Sequence, residues 1–166
     1  MDNTVADQVP IASARPWVAE YPAGVPADVH IDEGLTLVDV LEAAFRQYAQ
    51  RDACACMGQR LSFADLDRLS QDFGAWLQHE AGLGRGDRVA IMLPNLLQYP
   101  VALFGALRAG MVVVNVNPLY TASELAFQLE DSGAAAIVVL ENFAHTLEHA
   151  LPGTRVRRVI TTQVGD

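Results

Sequence analysis

Apolar residues recur in two rhythms along this chain, and the rhythm changes near residue 87. Before it, Leu37, Val40, Leu41, Ala44, Phe45 and Tyr48 fall at helical spacing and predict a helix that starts after Thr36. Thr36 and Asp39 stand three apart, as in a capping box with Asp replacing Glu. ACACMGQRLSF then predicts two short strands around Gly58-Gln59. Ser62 and Asp65 cap a second helix whose stripe is Leu66, Leu69, Phe73, Trp76 and Leu77, and GLGRGD ends it.

From Asp87 onward, short and almost continuously apolar runs alternate with helical stripes. RVAIML predicts a strand, and Asn95 caps a helix with Leu96, Tyr99, Leu103, Phe104 and Leu107 inward. Pro100 falls near its first turn and Gly110 at its stop. Val112 to Val116 predicts a buried strand, and Thr121 with Glu124 caps a helix running to Ser132. AAAIVVL predicts a strand, Asn142 to Leu151 a helix, and VRRVITT a last strand.

Uninterrupted apolar strands are expected where helices cover both faces of a parallel sheet. The predicted fold class is therefore α/β: an open, mostly parallel sheet covered by helices, preceded by a helix–hairpin–helix section. Three segments follow: an extended N-terminal arm over 1–34, the helix–hairpin–helix section over 35–86, and a doubly wound section over 87–166. The arm carries Pro10, Pro16, Pro22 and Pro26, with Trp17 and Tyr21 placed to pin it to a surface.

Charge and composition narrow the function. A net charge of −9 leaves no clustered cations for nucleic acid, so no nucleic-acid partner is expected. All 11 basic residues are arginine, which excludes Schiff-base chemistry and a phosphate-loop lysine within these residues. Cys54 and Cys56 share one strand face and read as small core residues of a reducing, cytoplasmic environment. The acidic start MDNTVADQ lacks a basic leader region, and Arg108 interrupts the apolar stretch from Val101 to Val116, so neither a secretory signal nor a membrane span is expected.

Candidate chemistry is thin. GLGRGD follows a helix and precedes a strand, the reverse of a phosphate cradle, and reads as a helix stop and a turn. His145 and His149 share a helix face with Glu148, but the H-E-x-x-H order is absent and a solvated polar face is the reading adopted. Arg155, Arg157 and Arg158 form a small cluster that reads as solubilising surface. No G-x-S-x-G elbow occurs. Asn117-Pro118 leaves the predicted strand and Thr121 opens the next helix, so Asn115, Asn117 and Tyr120 read first as a corner, with a site at a strand's carboxyl end as the second reading. No residue is assigned a catalytic, cofactor-binding or metal-binding role.

The run GDRVAIMLPNLLQYPVALFGALRAGMVVVNVNPLYTASELAFQLEDSGAAAIVV, from Gly86 to Val139, resembles the N-terminal region of bacterial long-chain fatty-acid–CoA ligases, members of the adenylate-forming superfamily. LSFADLDRLSQDFGAWLQ, TLVDVLEAAFRQYAQRDA and PWVAEYPAGVPADV resemble the segments that precede it, so the resemblance spans Trp17 to Asp166. MLPNLLQYPVALFG followed by NVNPLYT is its most specific part, and ACACM departs mildly from the apolar or aromatic residues usual there.

The resemblance implies a two-step reaction: a long-chain fatty carboxylate attacks the α-phosphate of ATP with Mg2+, then coenzyme A displaces AMP. In the family a Ser/Thr/Gly-rich loop with a lysine, an acidic region and a C-terminal lid with another lysine do this work. All lie downstream of the stretch matched here, so no catalytic residue carries over. The expectation is the leading part of such a ligase, inactive alone, cytoplasmic or peripheral at the inner membrane. Leu66, Phe73 and Trp76 are expected to be under-buried, with self-association as the result. A non-enzymatic α/β dimerisation or regulatory module is the alternative. An independent nucleotide-binding domain using strand ends near Pro94, Asn117 and Asn142 is the third reading.

Overall fold

The computed structural model of the chain describes residues 15–30 and 33–166. They fall into two units, the first ending at Leu35 and the second spanning Thr36–Asp166. In the first, Pro16–Glu20 form a 3-10 turn that opens on its proline. Arg15 pairs with the Asp28 carboxylate at 2.6 Å and donates to the Ala27 carbonyl. Within the 1–34 arm the chain therefore turns at Pro16–Glu20 and is extended again at Tyr21. Trp17 and Tyr21 are exposed. Pro10 and the rest of residues 1–14 lie outside the described residues.

The second unit runs α1 (Leu37–Tyr48), β1 (Asp52–Cys56), β2 (Gln59–Ser62), α2 (Phe63–His79), β3 (Arg88–Met92), α3 (Gln98–Arg108), β4 (Val112–Asn115), α4 (Ala122–Ser132), β5 (Ala136–Leu140), α5 (Ala144–Ala150) and β6 (Arg158–Thr162). All three anticipated capping boxes form, at Thr36/Asp39, Ser62/Asp65 and Thr121/Glu124. β1 and β2 pair antiparallel, with Cys56 opposite Gln59. The turn is therefore Met57-Gly58, one residue earlier than the sequence indicates. Both adopt positive φ, 50° and 82°, as a two-residue hairpin loop of this hand requires.

β3, β4, β5 and β6 form one parallel sheet in the order β4-β3-β5-β6. Period-two alternation splits its side chains between two layers. Val89, Ile91, Ala136 and Val138 join the core beneath α2 and α3, with Leu77, Ala102 and Ala106. Ala90, Met92, Ile137 and Val139 join the core beneath α4 and α5, with Leu125, Leu129 and Leu147. The helix–hairpin–helix section and the doubly wound section thus share one core.

Five expectations change at residue level. Val112 and Val159 are nearly half exposed, because β4 and β6 are the sheet's edges, so Val112 to Val116 is not a wholly buried strand. Leu66 is buried at 2% exposure, whereas Phe73 is half-buried and Trp76 exposed, so only part of the expected under-buried set is accessible. Asn95 does not cap α3; the helix opens at Gln98 after a turn in which Leu96 N–H donates to the Pro94 carbonyl. Its buried face is Ala102, Gly105 and Ala106, while Leu103, Phe104 and Leu107 are half-buried. Finally, the predicted Asn142–Leu151 helix divides into a 3-10 turn, Glu141–Phe143, and α5.

The small residues of α3 have a steric cause. A Cβ placed on Gly105 would meet the Phe73 ring and the Ser70 carbonyl oxygen at 2.8 Å, and one on Gly74 would meet the Gly105 carbonyl oxygen at 2.8 Å. The α2–α3 crossing is closer than larger side chains permit, so bulk moves to the flanks.

Candidate functional site: the carboxyl edge of the sheet

In an open parallel sheet the crevice outside the strands' carboxyl ends, where the connection changes direction, is the usual ligand position. Here that reversal occurs at β3, whose neighbours are β4 on one side and β5 on the other. The ends of β4, β3 and β5 therefore bring Asn115–Asn117, Pro94–Asn95 and Glu141–Asn142 to one edge.

The polar groups of this edge are largely engaged with one another. Tyr99 Oη donates to Asn115 Oδ1 at 2.9 Å, and Gln128 Nε2 donates to the Asn115 carbonyl at 3.0 Å. Asn117 Oδ1 accepts from Leu119 N–H at 3.0 Å, an Asx turn that carries the chain off the sheet. The Asn117 carbonyl accepts from Tyr120 N–H at 3.1 Å. Thr121 and Glu124 close the corner reciprocally, and the hydrogen bonds from Thr121 hold the Glu124 carboxyl below its ordinary range. Asn142 lies in the exposed 3-10 turn after β5.

The β1–β2 hairpin leans on the same edge. Cys56 Sγ donates to the Asn95 carbonyl at 3.4 Å, and a groove beside it is lined by Cys54, Leu96, Leu97, Tyr99 and Pro100. Both cysteines are free and half-buried, Cys56 packs at the rim of the core, and burial pushes the Cys54 thiol up. A larger cleft of about 430 Å3 runs between Met57 and Arg60 of the hairpin, Gln98 of α3 and the 164–166 segment. Its one cationic side chain, Arg60, pairs with Asp52, and Gln98 Nε2 donates to the Gln163 carbonyl at 2.8 Å. A smaller apolar cleft of about 250 Å3 opens between Phe73, Val101, Val138 and Ile160.

The other sequence candidates lie elsewhere. In the GLGRGD loop Asp87 Oδ2 accepts from Gly84 N–H at 3.0 Å and from Arg157 Nη2 at 2.8 Å, which ties the turn to the start of β6. That pair takes Arg157 out of the basic cluster, and Arg158 donates to the Arg157 carbonyl. His145, Glu148 and His149 are exposed on α5. Sequence reading missed Arg108: its guanidinium donates to the Asp67 carboxylate at 2.7 Å and to Ser70 Oγ at 3.0 Å, joining α3 to α2. The one signal was a cation inside an otherwise apolar helix. Among the described residues no helix is long and apolar enough to cross a membrane.

Three comparisons with known proteins converge. The chain is 55% identical over 150 residues to the long-chain-fatty-acid–CoA ligase of Salmonella typhimurium, covering 90% of this chain and 27% of that protein. It is 38% identical over 129 residues to the Bacillus subtilis enzyme of the same name, covering 78% of this chain and 23% of the relative. The chain thus spans about a quarter of the length of these curated relatives. Among solved structures, a long-chain-fatty-acid-CoA ligase from Archaeoglobus fulgidus superposes with a TM-score of 0.74 at 22% identity, covering 86% of this chain and 30% of that one. Residues 41–166 match the AMP-binding enzyme family, and with three quarters of its length inside that match, this chain belongs to it.

Proposed function

We propose that this chain is the leading part of a long-chain fatty-acid–CoA ligase and supplies scaffold rather than reacting groups. The single observation that carries this is the 55% identity to the Salmonella typhimurium ligase over 90% of the chain. The parent activity is ATP-dependent formation of an acyl-adenylate, with Mg2+ at the phosphates, followed by thioester formation with coenzyme A. Long-chain fatty acid is the substrate, at the cytosolic side and in peripheral contact with the inner membrane.

The residues present do not fit Mg-ATP. The chain carries no lysine. The β3–α3 connection is Leu93-Pro94-Asn95-Leu96-Leu97, which lacks a glycine-rich cradle, and the helix it opens has no side-chain cap. Asn115 Oδ1 and the Nε2 groups of Gln128 and Gln98 are committed to other groups of the chain. Among the described residues the one buried side-chain atom left without a partner is Gln128 Oε1, a lone neutral acceptor that offers nothing to a phosphate. No step of the reaction is therefore routed through these residues. Exposed Trp76, stacked on Phe73 at 6.3 Å, and the open edges of β4 and β6 support self-association of the chain by itself.

The test is complementation. The 166-residue chain is assayed for acyl-CoA formation with ATP, Mg2+, coenzyme A and a long-chain fatty acid, alone and mixed with the complementary C-terminal part of the Salmonella typhimurium enzyme. No turnover alone and turnover in the mixture support the reading. Turnover by the chain alone, or saturable ATP binding to it by calorimetry, overturns it. A well-folded chain that forms a stable dimer and fails to complement favours the dimerisation-module alternative.

A further inference from the structure

The exposed face of α5 carries a cluster that the ligase reading does not use. His145, Glu148 and His149 stand at i, i+3 and i+4, which aligns them on one side of the helix. One ligand-capable atom from each lies within 4.8 Å of the other two. The imidazole rings meet edge to face with centroids 4.4 Å apart, and His145 Nδ1 is 3.7 Å from Glu148 Oε2. Leu147 and Ala150 are buried on the opposite side and hold the helix against the sheet, so the backbone under the cluster is fixed.

A further contact prepares one ligand. His149 Nδ1 lies 2.8 Å from the His145 carbonyl oxygen. A carbonyl only accepts, so Nδ1 carries the hydrogen and Nε2 of the neutral ring keeps its lone pair. A metal-binding imidazole is oriented in the same way, with its second nitrogen donating to a carbonyl or carboxylate.

We propose that His145, Glu148 and His149 chelate one borderline divalent transition cation, with Zn2+ as the reference ion. Ligand bonds to Zn2+ of about 2.0–2.2 Å put donors on one ion at most ~4.4 Å apart, and small rotations of these exposed side chains close the set. Two imidazole nitrogens and one carboxylate oxygen suit Zn2+, Ni2+ or Cu2+, whereas Mg2+ and Ca2+ require oxygen shells. Water completes the coordination. Because the ion bridges successive turns of a seven-residue helix with no side-chain N-cap, binding to the folded form raises the stability of the chain.

Metal-stripped chain is titrated with ZnCl2 and, in parallel, with MgCl2 by calorimetry, and Cu2+ serves as a paramagnetic probe. The expected result is one Zn2+ per chain, no saturation by Mg2+, and a Cu2+ spectrum with coupling to two imidazole nitrogens. Saturation is lost in His145→Gln and in His149→Gln, and is retained in the Cys54→Ser/Cys56→Ser double variant. Circular dichroism checks that each variant folds, which the exposure of both histidines favours. No saturable Zn2+ binding by the folded chain, binding that survives both histidine changes, or binding that disappears with the cysteines overturns the proposal.

Discussion

The Cα of Gly74 on α2 and the backbone carbonyl of Gly105 on α3 approach so closely that a methyl group on Gly74 would sit 2.8 Å from that oxygen. This crossing joins the helix–hairpin–helix section to the parallel sheet. Gly105→Ala and Gly74→Ala are each expected to destabilise the chain, because overpacking costs of about 1–3 kcal/mol exceed the roughly 1 kcal/mol gained in helix propensity. Gly105→Ala is the worse of the two, since its methyl meets both Phe73 and the Ser70 carbonyl. Gly84→Ala, with nothing within 4 Å, is the near-neutral control. Urea unfolding midpoints check all three.

Arg108 fastens the same helices by polar contacts. Its side chain is 15% exposed and reaches Asp67, buried Ser70 and, at 3.4 Å, Glu42 of α1, while its guanidinium lies 5.4 Å from the centre of the Phe45 ring. Arg108→Met keeps the aliphatic stem and removes the charge. It leaves the Asp67 carboxylate and Ser70 Oγ without that donor, at an expected cost of about 1.5–3 kcal/mol. Asp67→Asn in the Arg108→Met background is expected to cost less than Asp67→Asn alone, and a double-mutant cycle in urea reads the coupling.

Acid weakens the three capping boxes together. Hydrogen bonds from Thr36, Ser62 and Thr121 hold the carboxyls of Asp39, Asp65 and Glu124 below their ordinary range. A carboxyl whose folded value lies below its unfolded value adds stability above the unfolded value, and loses it as pH falls through the folded one. Glu124→Ala is therefore expected to lower the urea midpoint at neutral pH. The gap to the unaltered chain should close as pH drops below the carboxylate range. A gap that stays constant with pH would show that the side chain acts by packing alone.

The open edges of the sheet predict how the isolated chain behaves. Val159 on β6 and Val112 on β4 are nearly half exposed on the two edge strands of the sheet among the described residues. Light scattering is expected to show concentration-dependent association that Val159→Lys reduces, since a charged edge resists strand addition. A monodisperse monomer at high concentration, with no binding of a hydrophobic dye, would refute this.

Local chemistry settled much of this protein at the level of sequence. Three Ser/Thr–acid pairs at the right spacing defined three helix starts, and uninterrupted runs such as Ala136–Leu140 specified buried parallel strands, because both signals depend on neighbours within a few residues. The MLPNLLQYPVALFG and NVNPLYT motifs likewise carried the family resemblance without any coordinates. What tertiary structure decided was everything set by partners distant in the chain. Sheet order made β4 and β6 edges and exposed valines that read as core. The Gly74–Gly105 approach turned the buried face of α3 from large residues to small ones. Asn115 was given to Tyr99 and Arg108 to Asp67 across 16 and 41 residues of sequence, separations at which only the folded backbone determines which polar groups meet.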